Sequence, residues 1–135
     1  MGQANLSMAK IRAFLIEDNP VILETLSAAL EELADVEVVG SAIGEQEALR
    51  WFDSRTDGGD IPVIDIFLKS GSGLGVLKGM QSFAPPPQRV VLTNYATAHM
   101  RLTCTALGAE RVFDKSTELE ELVEWVQHRN QALGH

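Results

Sequence analysis

The stretch IRAFLIEDNP, residues 11–20, decides the fold class of this chain. Its first part is an almost wholly apolar run of strand length, which is typical of a strand buried on both faces. Asn19 is a favourable helix N-cap, and Pro20 is favourable at the first helical position. The stretch therefore predicts a buried strand and a following helix, with Glu17 and Asp18 in the turn between them.

The same alternation of a short apolar run and a longer periodic segment continues along the rest of the chain. Further strands are expected at residues 36–42, 63–67, 89–92 and 111–113, with Pro62 only at the very start of its strand. Helices are expected over residues 44–54, after a cap at Ser72, over 97–107, and after a capping box of Thr117 and Glu120. Five strand–helix units in strict alternation predict an α/β fold with a doubly wound five-stranded parallel sheet. The common order for five such strands is the flavodoxin-like 2-1-3-4-5, and we expect that order here.

The composition excludes several classes of protein. The 135 residues include 11 basic and 19 acidic side chains, a net charge of −8, so we expect no direct binding to nucleic acid or membrane. The single cysteine excludes a disulfide framework, and no apolar run reaches the length of about 18 residues that a transmembrane helix needs. Residues 1–9 lack the apolar core of a signal peptide. We expect them to form a flexible arm before one domain over residues 10–133, in the cytoplasm.

Five polar side chains lie at the predicted carboxyl ends of the strands. Glu17 and Asp18 follow the first strand, Asp65 ends the third, Thr93 ends the fourth and Lys115 follows the fifth. Doubly wound sheets bind their ligands at this edge, near the point where the strand order reverses. In the order 2-1-3-4-5 the first, third, fourth and fifth strands are consecutive neighbours, so we expect all five side chains to converge in one pocket.

The residue types in this pocket are those that phosphoryl transfer requires. Crowded carboxylates raise one another's pKa unless a cation neutralises them, and Mg2+ binds through carboxylates together with phosphate oxygens and water. A lysine pairs with carboxylate and phosphoryl oxygens, and a threonine hydroxyl donates to the same oxygens. An aspartate such as Asp65 can attack a phosphoryl group and form an acyl phosphate.

Taken together, these motifs resemble the receiver domain of bacterial two-component response regulators, over nearly the whole chain. Each motif alone is weakly specific, whereas their order and spacing make the set specific. The motifs are, in chain order, Ile16-Glu17-Asp18-Asn19-Pro20, Ile64-Asp65, Gly71-Ser72-Gly73-Leu74, Val91-Leu92-Thr93, Gly108-Ala109 and Asp114-Lys115.

The resemblance implies a phosphoacceptor and a metal site. Asp65 would accept the phosphoryl group. Asp18 would ligate the metal directly, and Glu17 would act beside it through water. The backbone carbonyl of Phe67 would be a further ligand, so the implied magnesium site comprises Glu17, Asp18, Asp65 and Phe67.

The resemblance also implies the function and the partners. The domain would be a phosphorylatable signalling switch in which the hydroxyl of Thr93 turns toward the phosphoryl group on Asp65 and Lys115 pairs with it. A sensor histidine kinase or a phosphotransfer protein would donate the phosphoryl group in a Mg2+-dependent reaction. Because the chain ends after the last predicted helix, we expect a single-domain regulator that acts on a downstream protein target. A homodimer through the fourth and fifth helices is a further implied assembly. The domain would signal rather than act as an enzyme, although it would catalyse its own phosphorylation and dephosphorylation.

The sequence departs from the family pattern beside the site. Ser116 stands where the family usually has a proline, and Val112 stands where it usually has a switch aromatic, with Phe113 beside it. These two positions leave open how movement of the threonine is coupled to the surface. The bulky Phe67 and Tyr95 suggest a separate hypothesis, that they screen the acyl phosphate from water and lengthen its lifetime.

Other functions remain open at this point. An aspartate-nucleophile phosphatase usually carries a second acid two residues after the nucleophile, where this chain has Phe67. A flavodoxin-type module would need a Ser/Thr-rich phosphate loop in place of Glu17-Asp18-Asn19-Pro20. A receiver that never accepts phosphate is disfavoured because the key positions are filled. A receiver fragment of a longer regulator is the remaining alternative.

Overall fold

The computed structural model describes residues 10–54 and 60–133. The expected flexible arm, residues 1–9, lies outside the described residues. The elements in chain order are β1 (Arg12–Ile16), α1 (Pro20–Leu33), β2 (Glu37–Ala42), α2 (Glu45–Asp53), β3 (Asp60–Ile64), α3 (Gly73–Met80), β4 (Arg89–Thr93), α4 (Ala98–Ala106), β5 (Ala109–Asp114) and α5 (Leu119–Leu133).

The five strands form one parallel sheet in the order β2-β1-β3-β4-β5. The doubly wound, flavodoxin-like α/β fold with strand order 2-1-3-4-5 is therefore confirmed. After β1 the chain forms β2 at one edge of the sheet. It then returns to the other side of β1, where β3, β4 and β5 follow in order. The strand order thus reverses between β1 and β3, and the carboxyl ends of these two strands open a crevice there.

Two apolar cores lie on opposite faces of the sheet. Alternate residues along each strand enter different cores, so that Leu15 faces α1 and α5 while Ile16 faces α2, α3 and α4. Helices α1 and α5 contribute Leu26, Leu30, Leu122 and Val126 to one core. Helices α2, α3 and α4 contribute Ala48, Phe52, Val76, Leu77 and Cys104 to the other. Both faces are covered, which is why the central strands consist almost entirely of buried residues.

Strand β3 begins earlier than predicted and contains Pro62 in its interior. It spans Asp60–Ile64 rather than residues 63–67, and all five of its residues are buried. The proline is tolerated because pairing with β4 starts only at Val63, opposite Val90. Asp65 donates its backbone N–H to β1, and alternation along the strand then directs the nitrogen of Pro62 away from β1, toward the still unpaired end of β4. The prediction that Pro62 must start the strand was therefore wrong.

The helix starts are set by caps, of which two were predicted correctly. The side chain of Asn19 accepts hydrogen bonds from the backbone of Val21 and Ile22, with Pro20 in the first turn of α1. The hydroxyl of Ser72 accepts a hydrogen bond from the backbone of Gly75 and caps α3. The capping box at Thr117 is wrong, since α5 begins at Leu119 and its first turn is closed by Leu122 N on the carbonyl of Glu118.

Candidate functional site

Backbone hydrogen bonds extend the strand ladders past the strand ends and align the site residues. Glu17 N donates to Ala42 O at 3.0 Å, and Asp65 N donates to Ile16 O at 2.9 Å. At the other side of the crevice, Lys115 N donates to Thr93 O at 2.9 Å. The side chains that follow β1, β3 and β5 are thus held at one edge of the sheet by backbone geometry alone.

Three carboxylates meet at this edge. Glu17, Asp18 and Asp65 each offer one oxygen atom, and these atoms lie within 4.8 Å of one another. Glu17 is 3% exposed and Asp65 is 7% exposed, while Asp18 is half-buried. Taking such groups out of water without a cation costs free energy, so the cluster favours binding of a positive charge.

Lys115 supplies part of that positive charge. Its Nζ atom lies 2.6 Å from Glu17 Oε1 and 3.4 Å from Asp65 Oδ2, and its side chain is only 10% exposed. Burial raises the pKa of Asp65 above its ordinary value, Lys115 opposes this and the nearby Glu17 adds to it. One ammonium group against the three described carboxylates leaves the pocket negative and able to accept a divalent cation.

Backbone N–H groups orient the carboxylates. Asp18 Oδ2 accepts a hydrogen bond from Lys69 N at 2.7 Å, and Glu17 Oε2 accepts one from Asn19 N at 3.1 Å. Sequence reasoning missed the contribution of Lys69, because a backbone donor leaves no signal in the residue type. The contact joins the turn after β1 to the loop after β3, and both segments carry predicted metal ligands.

The donor set fits magnesium. Mg2+ prefers oxygen ligands and is usually held through one or two carboxylates, with water and phosphate oxygens completing the octahedron. Glu17, Asp18 and Asp65 present oxygens only, in a crevice that a phosphoryl group can enter. Phe67 lies in the same loop as Asp65, and its N–H approaches Asp65 Oδ1 at 3.4 Å. The part assigned to its carbonyl stays a prediction.

Thr93 lies at the end of β4, between the strands that precede Asp65 and Lys115. It is fully buried, and its Oγ1 atom accepts a hydrogen bond from Tyr95 N at 3.2 Å. In this bond the oxygen is the acceptor, so the hydroxyl keeps its hydrogen as a donor. The fold thus brings four ionisable groups together at one edge of the sheet: Glu17, Asp18, Asp65 and Lys115. Thr93 lies on the neighbouring strand, β4.

The departures from the family pattern have structural consequences. Val112 is buried against α4, whereas Phe113 points into the opposite core beneath α1 and α5. Because adjacent strand residues face opposite sides of the sheet, Phe113 does not substitute for an aromatic ring at position 112. Instead, Arg101 of α4 donates hydrogen bonds to the carbonyl oxygens of Val112 and Ala96.

Two exposed aromatic rings flank the pocket. Phe67 is 54% exposed and Tyr95 is 60% exposed, and their ring centroids lie 4.9 Å apart in an edge-to-face arrangement. The pair joins the loop after β3 to the loop after β4.

Within the described residues, no helix is long and apolar enough to cross a membrane.

Comparison with known proteins identifies the same architecture. Residues 13–127 match the family model described as the response regulator receiver domain. The chain is 33% identical over 103 residues to a protein-glutamate methylesterase/protein-glutamine glutaminase of Caulobacter vibrioides, covering 76% of this chain and 29% of that protein. It is 33% identical over 114 residues to the transcriptional regulatory protein TrcR of Mycobacterium tuberculosis, covering 84% of this chain and 42% of that protein.

A solved structure shows the likeness in three dimensions. The crystal structure of a LuxR-family two-component response regulator from Aurantimonas superposes with a TM-score of 0.80 at 22% identity, covering 91% of this chain and 86% of that chain. At this identity the superposition establishes the fold alone. The chain spans less than half the length of the two curated relatives, so what their remaining parts do belongs to those proteins.

Proposed function

The chain belongs to the response regulator receiver domain family, and from this premise we propose that it is a phosphorylatable signalling switch with Asp65 as the acceptor. The observation that carries the proposal is the position of Asp65, buried between Lys115 and two further carboxylates. A carboxylate held at this place has a cation on one side and a metal-binding set on the other. Lys115 can neutralise part of the charge of an incoming phosphoryl group, and a cation held by the carboxylates would neutralise more of it.

The transfer requires little movement of the protein. A carboxylate oxygen of Asp65 attacks the phosphorus of a phosphohistidine, the O–P bond forms as the N–P bond breaks, and the released imidazole takes up a proton from water. Glu17, Asp18, Asp65 and the Phe67 carbonyl would hold Mg2+, which when bound neutralises phosphoryl oxygens. Lys115 stays within reach of Glu17 and Asp65 at 2.6 Å and 3.4 Å and can pair with the phosphoryl group.

The new charge would then alter the surface around β4 and β5. A phosphoryl group carries about 1.5 to 2 negative charges at neutral pH, and because Asp65 gives up its own carboxylate charge in forming the acyl phosphate, the net gain at the site is about one charge or less. The Thr93 hydroxyl can donate to it, which pulls on the loop that begins with Asn94 and Tyr95. Arg101 holds the end of this loop through Ala96 O at 3.0 Å and holds β5 through Val112 O at 2.8 Å. Movement of the loop therefore reaches the face formed by α4, β5 and α5, where a downstream protein or a second copy would bind.

An apolar groove beside the pocket suits the phosphodonor. It has a volume of about 250 Å³ and is lined by Val21, Ile22, Thr25, Leu26, Leu92, Asn94, Lys115 and Leu119. Val21 at its rim is 71% exposed. Since Lys115 lines both the groove and the pocket, a histidine-bearing helix of a kinase or phosphotransfer protein seated there would present its imidazole to Asp65. The substitution Val21→Glu should slow transfer from such a protein and leave phosphorylation by acetyl phosphate unchanged.

Intact-mass measurement after incubation with Mg2+ and acetyl phosphate tests the central proposal. We expect the mass of one phosphoryl group to be added to the parent chain, and no addition to Asp65→Asn. The matched control Asp53→Asn, at an exposed aspartate, should accept the group as the parent does. An unmodified parent would refute the switch, and continuous release of phosphate at high turnover would favour the phosphatase alternative.

The proposal concerns the domain, whether it acts alone or within a longer regulator. Output through a protein partner, rather than through direct contact with nucleic acid, fits the net charge of −8. Dimerisation through α4 and α5 is proposed for the phosphorylated form. Size-exclusion chromatography with and without beryllofluoride distinguishes an induced dimer from a monomer.

A further inference from the structure

The loop between β3 and α3, residues 65–72, is fastened to two other parts of the chain. Near its middle, Lys69 N donates to Asp18 Oδ2 at 2.7 Å, which ties the loop to a predicted metal ligand. Near its end, the loop is held by Glu45, the first residue of α2. This second attachment involves no residue of the proposed phosphorylation site.

Glu45 contacts the loop through both its backbone and its side chain. Its N–H donates to Ser70 O at 3.0 Å, and its Oε1 atom accepts a hydrogen bond from Ser72 N at 3.0 Å. The preceding Gly44 forms an isolated parallel bridge with Ser70. The bridge includes the hydrogen bond from Glu45 N–H to Ser70 O, so a backbone bridge and one side-chain hydrogen bond clamp the end of the loop to the start of α2.

Two glycines make room for the Glu45 side chain. A Cβ atom at Gly71 or at Gly75 would overlap it, in the second case at the carboxyl group itself. Gly75 lies inside α3, where glycine costs about 1 kcal/mol relative to alanine. Glycine at this position therefore serves to leave room for the Glu45 carboxyl group, although it lowers the helical propensity of α3.

We infer that Glu45 is a positioning residue for the magnesium site, an inference that rests on the proposed function. The loop that it clamps carries Asp65, Phe67 and the backbone donor to Asp18. Mg2+ demands near-ideal octahedral geometry, so small displacements of this loop are costly to binding. Capping of α3 does not by itself explain the side chain of Glu45, because the Ser72 hydroxyl already caps this helix by accepting from Gly75 N at 3.1 Å.

Three variants separate positioning from folding. Glu45→Ala removes the acceptor of Ser72 N, and Glu45→Gln keeps a carbonyl oxygen in its place. Gly75→Ala pushes the carboxyl group aside, and because this group is the flexible end of a side chain, the stability of the fold should be kept or raised. The dissociation constant of Mg2+ is measured by isothermal titration calorimetry, alongside urea unfolding of each variant.

We expect Glu45→Ala and Gly75→Ala each to weaken Mg2+ binding by about fivefold, somewhat less than the loss of a direct outer partner of a metal ligand. Glu45→Gln should bind within twofold of the parent. The double variant Glu45→Ala/Gly75→Ala should bind no more weakly than Glu45→Ala alone, because both changes release the same clamp.

Unchanged Mg2+ affinity in Glu45→Ala and Gly75→Ala would overturn the inference, and so would Glu45→Gln binding as weakly as Glu45→Ala. Weakened binding in Gly75→Ala without loss of stability would support it, since a purely structural role cannot produce that combination. A parent chain that binds no Mg2+ would instead remove the proposed function, and the inference would fall with it. The two failures are therefore distinguishable.

Discussion

The two ends of the same strand pair carry opposite kinds of ionic site. Arg12 of β1 lies opposite Asp60 of β3, and five residues later the register brings Glu17 next to Asp65. At the first end, Arg12 Nε lies 2.6 Å from Asp60 Oδ1, with Asp60 1% and Arg12 34% exposed. There, within the part of the chain that the structure describes, one cation faces one carboxylate. At the second end, Lys115 faces three carboxylates among the described residues.

The difference in charge balance distinguishes an ionic site that needs no ligand from one that favours binding of a cation. A balanced pair needs no ligand to neutralise it, although removing one partner leaves a buried charge that is costly. An unbalanced cluster is costly by itself and gains stability from whatever neutralises it. Both ends rest on the same backbone register, so the charge balance rather than the fold distinguishes them. The first three of the following changes test this distinction, and the last two concern smaller effects elsewhere.

The largest effect is expected at the balanced end. Arg12→Met leaves Asp60 buried without its guanidinium and should lower the free energy of unfolding by about 3 kcal/mol, measured by urea denaturation. The double variant Arg12→Met/Asp60→Leu should recover most of this loss, because no buried charge remains. A loss well below 1 kcal/mol in the single variant would mean that the pair is not structural.

Magnesium should act only at the unbalanced end. At a concentration ten times its dissociation constant, Mg2+ should stabilise the parent chain by about 1.4 kcal/mol, by mass action. Asp18→Asn should lose this gain, whereas Glu124→Gln, at an exposed acid on α5, should keep it. Thermal unfolding with Mg2+ and with EDTA measures the difference. Equal stabilisation of both variants would show that the ion binds elsewhere.

Neutralising the proposed acceptor should stabilise the metal-free protein. Asp65→Asn removes one of three crowded charges, while Lys115 keeps its partner Glu17, and we expect a gain of about 1 kcal/mol. The sign is opposite to that of Arg12→Met, although both changes remove a charge from a buried ionic site. A decrease in the free energy of unfolding would contradict the view that this end is unbalanced.

The aromatic pair should affect the lifetime of the acyl phosphate. Phe67→Asn opens the screen formed with Tyr95 and admits water, and we expect hydrolysis about threefold faster, which is less than 1 kcal/mol of the barrier. Loss of labelled phosphate from the phosphorylated protein measures the rate. An unchanged or slower rate would count against the screening hypothesis.

The smallest effect concerns the partly exposed ion pair of Arg101 and Glu118, which joins α4 to the start of α5. Hydrogen bonds from Arg101 and from the backbone of Asp114 lower the pKa of Glu118 below its ordinary value of 4.5. The unfolded chain therefore binds the proton more readily, so the stabilisation is complete above pH 4.5 and is lost as the pH falls through the folded-state pKa. Glu118→Gln should cost about 0.5 kcal/mol at pH 7, and the difference should vanish in acid. A difference independent of pH would exclude the ionised carboxylate as its source.

Two helix caps and the polar residues that follow the strands were predictable because their signals are local. Asn19 and Pro20 specify the start of α1 with their own side chains, and Glu17, Asp18 and Asp65 interrupt apolar runs at the ends of strands. The capping box at Thr117 failed because Glu118 takes the N-cap place and its carboxylate accepts from Asp114 N and Arg101. A local motif fails where tertiary partners compete for its residues or for those beside it.

The alternation of strands and helices and the placing of acidic residues just after strands follow from the sequence itself, because periodicity and turn chemistry operate over a few neighbouring residues. Three features were decided only in the folded molecule: Pro62 inside β3, the pairing of Arg12 with Asp60, and the hydrogen bonds of Glu45 to the loop after Asp65. Each joins groups that are distant along the chain or depends on where a neighbouring strand begins. Such contacts have no signature in a single segment, since only the packed sheet and helices set the distances between them.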